Sequence, residues 1–177
     1  GLVCLSSGVV SGHTTSEGLV HDQVRTIYQS RDSSVWIGTN GGLSRLKDGV
    51  FANYTTRDGL IQSVIRAIVE DLQGNIWLGT DAGLSRLRNG RFTNYGSTTR
   101  GEIGRVRVLH GDHTGAVWIG TDGQGVIQFA NGQFTHVGEE TGVASGMVAA
   151  VTQDSAGPVW VGGGRGLTSF KPGSVQS

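Results

Sequence analysis

The sequence predicts an all-β fold, a β-propeller of four-stranded antiparallel blades with about four blades in this chain. Three observations carry that expectation. All four tryptophans stand in one pentapeptide frame: Val35-Trp36-Ile37-Gly38-Thr39, Ile76-Trp77-Leu78-Gly79-Thr80, Val117-Trp118-Ile119-Gly120-Thr121 and Val159-Trp160-Val161-Gly162-Gly163. They recur at intervals of 41, 41 and 42 residues, a period that belongs to propellers with about four short strands per blade. Finally, 31 glycines against 2 prolines in 177 residues imply many tight turns without the composition of a disordered tract.

Each repeat divides into four apolar or alternating runs. Run A is Val24–Tyr28, Ile65–Val69, Val106–Leu109 and Val148–Val151. A polar turn follows, with an Asp that can bond its own backbone and a Gly at the bend: Asp71 and Gly74, Asp112 and Gly115, Asp154 and Gly157. Run B is the Trp pentapeptide, and run C opens at Gly42-Leu43, Gly83-Leu84, Gly125-Val126 and Gly166-Leu167. Asp48-Gly49, Asn89-Gly90 and Asn131-Gly132 are hairpin turns, these dipeptides being the strongest short hairpin signal. Run D is Val50–Tyr54, Arg91–Tyr95 and Gln133–Val137. No stretch has a capped 3.6-residue period, so no helix of consequence is expected. A residue recurring once per blade is a blade-to-blade packing element, so Trp36, Trp77, Trp118 and Trp160 are assigned to the core.

Residues 1–13 align with runs C and D, giving a single domain or propeller fragment over residues 1–177. It divides as a partial blade at 1–17, blades at about 18–58, 59–100 and 101–141, and a last blade at about 142–173. Two closures suit this strand order. In one, Val9–His13 completes the last blade as a four-bladed ring, which demands a steep angle between blades. In the other, favoured for its wider ring, a homodimer closes through blade completion as about eight blades.

Charge is balanced, 14 Lys and Arg against 14 Asp and Glu, which argues against nucleic acid as a partner. Cys4 is the sole cysteine, so neither an internal disulfide nor a thiolate metal site is expected. No apolar run is long enough to be a membrane segment, and no signal-peptide pattern appears. The sequence carries no nucleophile elbow, phosphate loop or paired-carboxylate constellation, so no catalytic residue and no cofactor is assigned. His110 and His113 straddle a strand end and a turn without a third ligand nearby, and no metal site is assigned to them. The alternative of a propeller enzyme such as a lyase would have to draw on His21, Asp22, Asp58 and Glu102, which no spacing links. A protein-interaction or engineered repeat scaffold is a further alternative.

Because successive strands alternate in direction, the B–C and D–A connections share one face of the propeller. The D–A segments Thr55–Gly59, Gly96–Glu102 and Gly138–Thr141 differ among repeats, and variable loops on a rigid frame are where binding resides. Beside them lie Asn40, Asp81, Asp122 and Arg165 of the B–C loops. Arg25, Arg66 and Arg107 recur at one position near the start of run A, with Ala149 breaking the series. They read either as a partial ring of guanidinium groups that forks onto carboxylate or sulfate, or as latches onto acidic residues of their own or the next blade. The latch is weighted higher because repeating residues are usually scaffold. The candidate ligand-binding set is therefore Arg25, Arg66, Arg107, Asn40, Asp81, Asp122 and Arg165.

The recurring frame, in the second repeat Ile65-Arg66, Asp71, Gly74, Ile76-Trp77-Leu78-Gly79-Thr80, Gly83-Leu84, Phe92 and Tyr95, resembles the two-component-regulator propeller repeat. The resemblance runs from about residue 1 to 173. Ser30 and Ser33 depart from it in the first repeat, Val126 in the third and Gly163 in the last. It implies a non-catalytic sensor propeller, the periplasmic or extracellular input domain of a bacterial hybrid histidine kinase or related regulator. Its ligand would be a small-molecule solute or oligosaccharide, often a carbohydrate.

Overall fold

The computed structural model describes residues 1–6, 8–98, 101–137, 146–155, 157–164 and 166–171. The fold is all-β. An N-terminal hairpin pairs β1 (Leu2–Ser6) with β2 (Val9–His13). Three complete blades follow: β3 to β6 (Val24–Gln29, Val35–Thr39, Leu43–Lys47, Val50–Tyr54), β7 to β10 (Ile65–Glu70, Ile76–Thr80, Gly83–Arg88, Arg91–Tyr95) and, after a short hairpin, β13 to β16 (Val106–Gly111, Val117–Thr121, Val126–Ala130, Gln133–Val137). The short hairpin is β11 (Ser97–Thr98) with β12 (Gly101–Glu102). A three-stranded sheet closes the order, β17 (Val148–Gln153), β18 (Val159–Gly163) and β19 (Gly166–Phe170). All pairings are antiparallel between sequence neighbours, and the innermost strands β3, β7, β13 and β17 contact one another in series around the axis.

Of the two closures, the single-chain ring through Val9–His13 is not formed among the described residues. Among the described residues β2 pairs with β1 alone, and the last sheet remains three-stranded.

The Trp frame makes the core between blades. Trp36 is buried among Leu60, Ile65, Ile76 and Leu78 of the next blade, and Trp77 among Ile103, Val106 and Val117. Trp118 packs with Val148, Val151 and Phe170. Trp77 and Trp118 are 0% exposed, whereas Trp160, beside which no further blade stands among the described residues, is 36% exposed. Trp36, Trp77 and Trp118 thus fill spaces that two blades together enclose, as a repeat that cannot bury its own apolar face requires, and the assignment of Trp160 to the core is corrected. The indoles are also tied to the A–B turns: Trp77 Nε1 donates to Asp71 Oδ2, Trp118 Nε1 to Asp112 Oδ2 and Trp160 Nε1 to Asp154 Oδ2.

The first repeat reaches the same arrangement with other residues. Ser30 Oγ takes the indole proton of Trp36 at 3.0 Å, and its own hydroxyl donates to Asp32 Oδ1 at 2.6 Å. Asp32 also accepts from the Ser34 N–H, from Arg45 and from Lys47. The Ser30 and Ser34 bonds hold its carboxyl far below the usual carboxylate range.

Candidate functional site

The start of every inner strand carries a β-bulge. Register jumps between Val24 and Thr26, Ile65 and Ala67, Val106 and Val108, and Val148 and Ala150. The extra residue is Arg25, Arg66, Arg107 or Ala149. A bulge bends the strand and re-aims the side chain of the inserted residue. Here it leaves each arginine beside the B–C loop of its own blade, on the face that the B–C and D–A connections share.

Each arginine meets the residue 15 positions on. Arg25 Nε donates to Asn40 Oδ1, Arg66 forks onto both carboxylate oxygens of Asp81, and Arg107 Nη2 reaches Asp122 Oδ2 at 3.1 Å. Arg105, just before β13, bridges two blades, with Nε 3.0 Å from Asp81 Oδ1 and Nη1 3.3 Å from Asp122 Oδ2. In the first blade Gln23 takes the equivalent position and its Oε1 accepts from the Asn40 amide. The hydrogen bond from Arg66 holds Asp81 below the usual carboxylate range, and the charges of Arg66, Arg105 and Arg25 add to that. The same pair raises Arg66. A cavity of about 520 Å³ opens here, lined by Gln23, Val24, Arg25, Asn40, Arg66 and Arg107. That volume lies within the range of small-molecule pockets.

Six of the seven residues singled out from the sequence therefore come together at one mouth: Arg25, Arg66, Arg107, Asn40, Asp81 and Asp122. Arg165 lies outside the described residues. Gln23 and Arg105 were missed, although both stand two places before the repeating arginine. Of the D–A segments compared in the sequence, Thr55–Gly59 shares one conformation with the segment entering the first blade. A single 3₁₀ turn forms at Thr15–Glu17 and again at Thr56–Asp58, each with a capping box, Thr14 with Glu17 and Thr55 with Asp58. Asn53 and Asn94 donate to the carbonyls of Gly18 and Gly59 at 2.9 Å and pin both segments to the blade below. Those two connections are scaffold. Variation is confined to the β11–β12 hairpin among the described residues, and residues 138–141 lie outside them.

The residues considered for enzyme chemistry are dispersed. His21 Nδ1 accepts the Gln23 N–H at 3.0 Å, Asp22 accepts from Thr15, and Asp58 is engaged in its capping box. The side chain of Glu102 lies outside the described residues. His110 and His113 belong to the opposite face, where His110 Nε2 accepts the N–H of Gln153 in the last sheet. Among the described residues no group of three or more His, Cys, Asp or Glu is placed to hold a metal ion, and no helix is long and apolar enough to cross a membrane.

Stacked four-stranded blades tied by a recurring Trp define a β-propeller fold. The family description of the two component regulator propeller matches residues 18–41 and 59–82, within the first two repeats of the chain. The chain is similar to the extracellular domain of the hybrid two component system BT3049 from B. thetaiotaomicron, with 24% identity and a TM-score of 0.76. That match covers 93% of this chain and 24% of the other. The extracellular domain of the one component system BT4673 from the same organism matches at 26% identity over 88% of this chain and 22% of that one, with a TM-score of 0.72. The chain thus spans about a quarter of the length of these domains. Virginiamycin B lyase from Staphylococcus aureus shares the fold alone, at 17% identity and a TM-score of 0.73 over 97% of this chain and 62% of the lyase. No curated protein matches the sequence.

Proposed function

We propose that this propeller segment is part of the extracellular input domain of a bacterial signalling receptor and binds a solute without transforming it. The observation that carries the reading is the repeated bulge, which gathers Arg25, Arg66 and Arg107 around one polar cavity. A bulge repeated at the same strand position costs ladder hydrogen bonds each time, and such features are found where a side chain is re-aimed toward a site. The loop carboxylates and amides pre-set the guanidinium groups, so little side-chain freedom is lost on binding. Likeness to the extracellular domains of one- and two-component systems supports the receptor setting, and the propeller-repeat resemblance directs the search to carbohydrates.

The test is an amide NMR titration with a panel of mono- and oligosaccharides, followed by analysis of the recovered ligand. Shifts centred on Arg25, Asn40, Arg66, Asp81, Arg107 and Asp122, with the ligand recovered intact, are expected. Shifts confined to the A–B turn face, or conversion of the ligand, would overturn the reading.

A further inference from the structure

Following from that reading, we infer that the solute is an anion, a sugar or similar small molecule bearing carboxylate or sulfate, held against Arg25. The inference rests on one break in the repeat. Blades two and three present an aspartate, Asp81 or Asp122, to the bulge arginine, whereas the first blade presents Asn40. The Asn40 amide orients Arg25 as a carboxylate would, through an oxygen accepting from Nε, but it carries no charge. Its own NH2 is turned back onto Gln23, so the partner of Arg25 and the side chain behind that partner are both neutral.

Charge bookkeeping at the mouth follows. Arg66, Arg105 and Arg107 pair with two carboxylates, Asp81 and Asp122, and Arg25 stands beside them on Asn40, its charge adding to the lowering of Asp81. Asp81 is held ionised by its neighbours. Among the described residues the linked set at the mouth therefore carries two more guanidinium groups than carboxylates, although the chain as a whole is neutral. Arg25 and Arg107 are both exposed and both line the cavity, while Arg66 is spent on its own fork with Asp81. A guanidinium whose Nε is already held keeps its terminal nitrogens for a second acceptor that offers two charged oxygens, which carboxylate and sulfate supply. A neutral sugar would leave that surplus unanswered within a concave wall, where the field of like charges is concentrated.

Three probes at matched concentration test this: glucose, glucuronate and glucose 6-sulfate, titrated against wild type, Asn40→Asp and Arg25→Gln with amide NMR as readout. Asn40→Asp installs the residue that the next two blades already carry, so the fold is kept and only the surplus changes. The charged probes are expected to shift Arg25, Asn40 and Arg107, with glucose producing no comparable shift. Affinity should fall by at least about tenfold in either variant, and with rising ionic strength. Glucuronate against glucose 6-sulfate separates the two anion sources. Glucose binding at the mouth as well as the charged probes, or affinities unchanged by Asn40→Asp, would overturn the anion and leave the solute site standing. No shift at the mouth with any charged probe would also overturn it, and the wider sugar panel then decides the site itself.

Discussion

The indole Nε1 of Trp77 donates a 2.7 Å hydrogen bond to Oδ2 of Asp71, six residues earlier in the A–B turn of the same blade. Both residues are buried, and the other oxygen of Asp71 accepts the N–H groups of Gln73 and Asn75. One carboxylate thus organises the turn and fixes the depth at which the ring enters the next blade. Asp71→Ala would leave several buried donors without a partner, and such groups cost about 1–3 kcal/mol each. Asp71→Ala is expected to lower stability by about 2–4 kcal/mol in urea unfolding, since some donors will find water. A change under about 0.5 kcal/mol, the size of an ordinary surface substitution, would show that the turn stands without it.

A matched pair of glycines tests blade-to-blade packing. A Cβ built on Gly79 would lie 2.5 Å from Val106 Cγ1 and 3.0 Å from Val106 Cβ in the next blade, and neither atom is the tip of a flexible chain. At Gly162, in the same place on the last sheet, the nearest atom is Ala150 Cβ at 3.8 Å. Gly79→Ala should therefore cost about 1–3 kcal/mol, as overpacking does. Gly162→Ala should fall within about 0.5 kcal/mol of wild type. Equal melting temperatures for the two variants would contradict the packing scheme.

The blades were legible because their signals are local and repeated. The Trp interval marks the period, and Asp48-Gly49, Asn89-Gly90 and Asn131-Gly132 announce hairpins whose first residues do take positive φ. The bulges were hidden because an extra residue such as Arg25 leaves the residues around it apolar or β-branched, as in an ordinary strand. The pairing of Arg66 with Asp81 and of Arg107 with Asp122 was within reach, since arginine and aspartate each recur at a constant offset. The likeness of the first two D–A segments is masked in the sequence because Thr14-Thr15-Ser16-Glu17 and Thr55-Thr56-Arg57-Asp58 differ in letters while sharing one capping pattern. The exposure of Trp160 could not be read from the repeat, because it depends on what stands beside the sheet and not on the sheet itself.

Ser33 adopts φ 64°, in the left-handed region that Gly74, Gly115 and Gly157 fill in the later A–B turns. Its side chain makes no bond that would offset the strain: the turn is closed by its N–H to the Ser30 carbonyl, and by Asp32 bonding Ser30 and Ser34. Ser33→Gly keeps that N–H. The steric cost of left-handed backbone, about 1–2 kcal/mol, should exceed the entropy that glycine adds to the unfolded chain, about 0.5–1 kcal/mol. A modest rise in melting temperature is expected. A fall would mean that the Ser33 side chain contributes more than its geometry indicates.

The last prediction concerns pH and the join between the third blade and the last sheet. His110 Nε2 accepts the Gln153 N–H at 3.1 Å, which requires the neutral ring. Burial pushes the His110 pKa down, against a smaller upward pull from Asp112. The folded protein thus resists a proton that the unfolded chain accepts near the ordinary histidine value of about 6.5. Stability from this group is fully present above that value and is lost as pH falls below it, because the unfolded state then binds more protons. Asp112 does not share the window. Its burial raises the carboxyl, but bonds from Thr114, Trp118 and the Ala116 N–H outweigh that and leave it lowered, so its contribution fades only at carboxylate pH. The melting temperature should therefore decline between about pH 7 and about pH 5 in wild type. It should decline less in His110→Gln, whose amide oxygen can accept the same bond without titrating. An identical slope in both proteins would remove His110 as its cause.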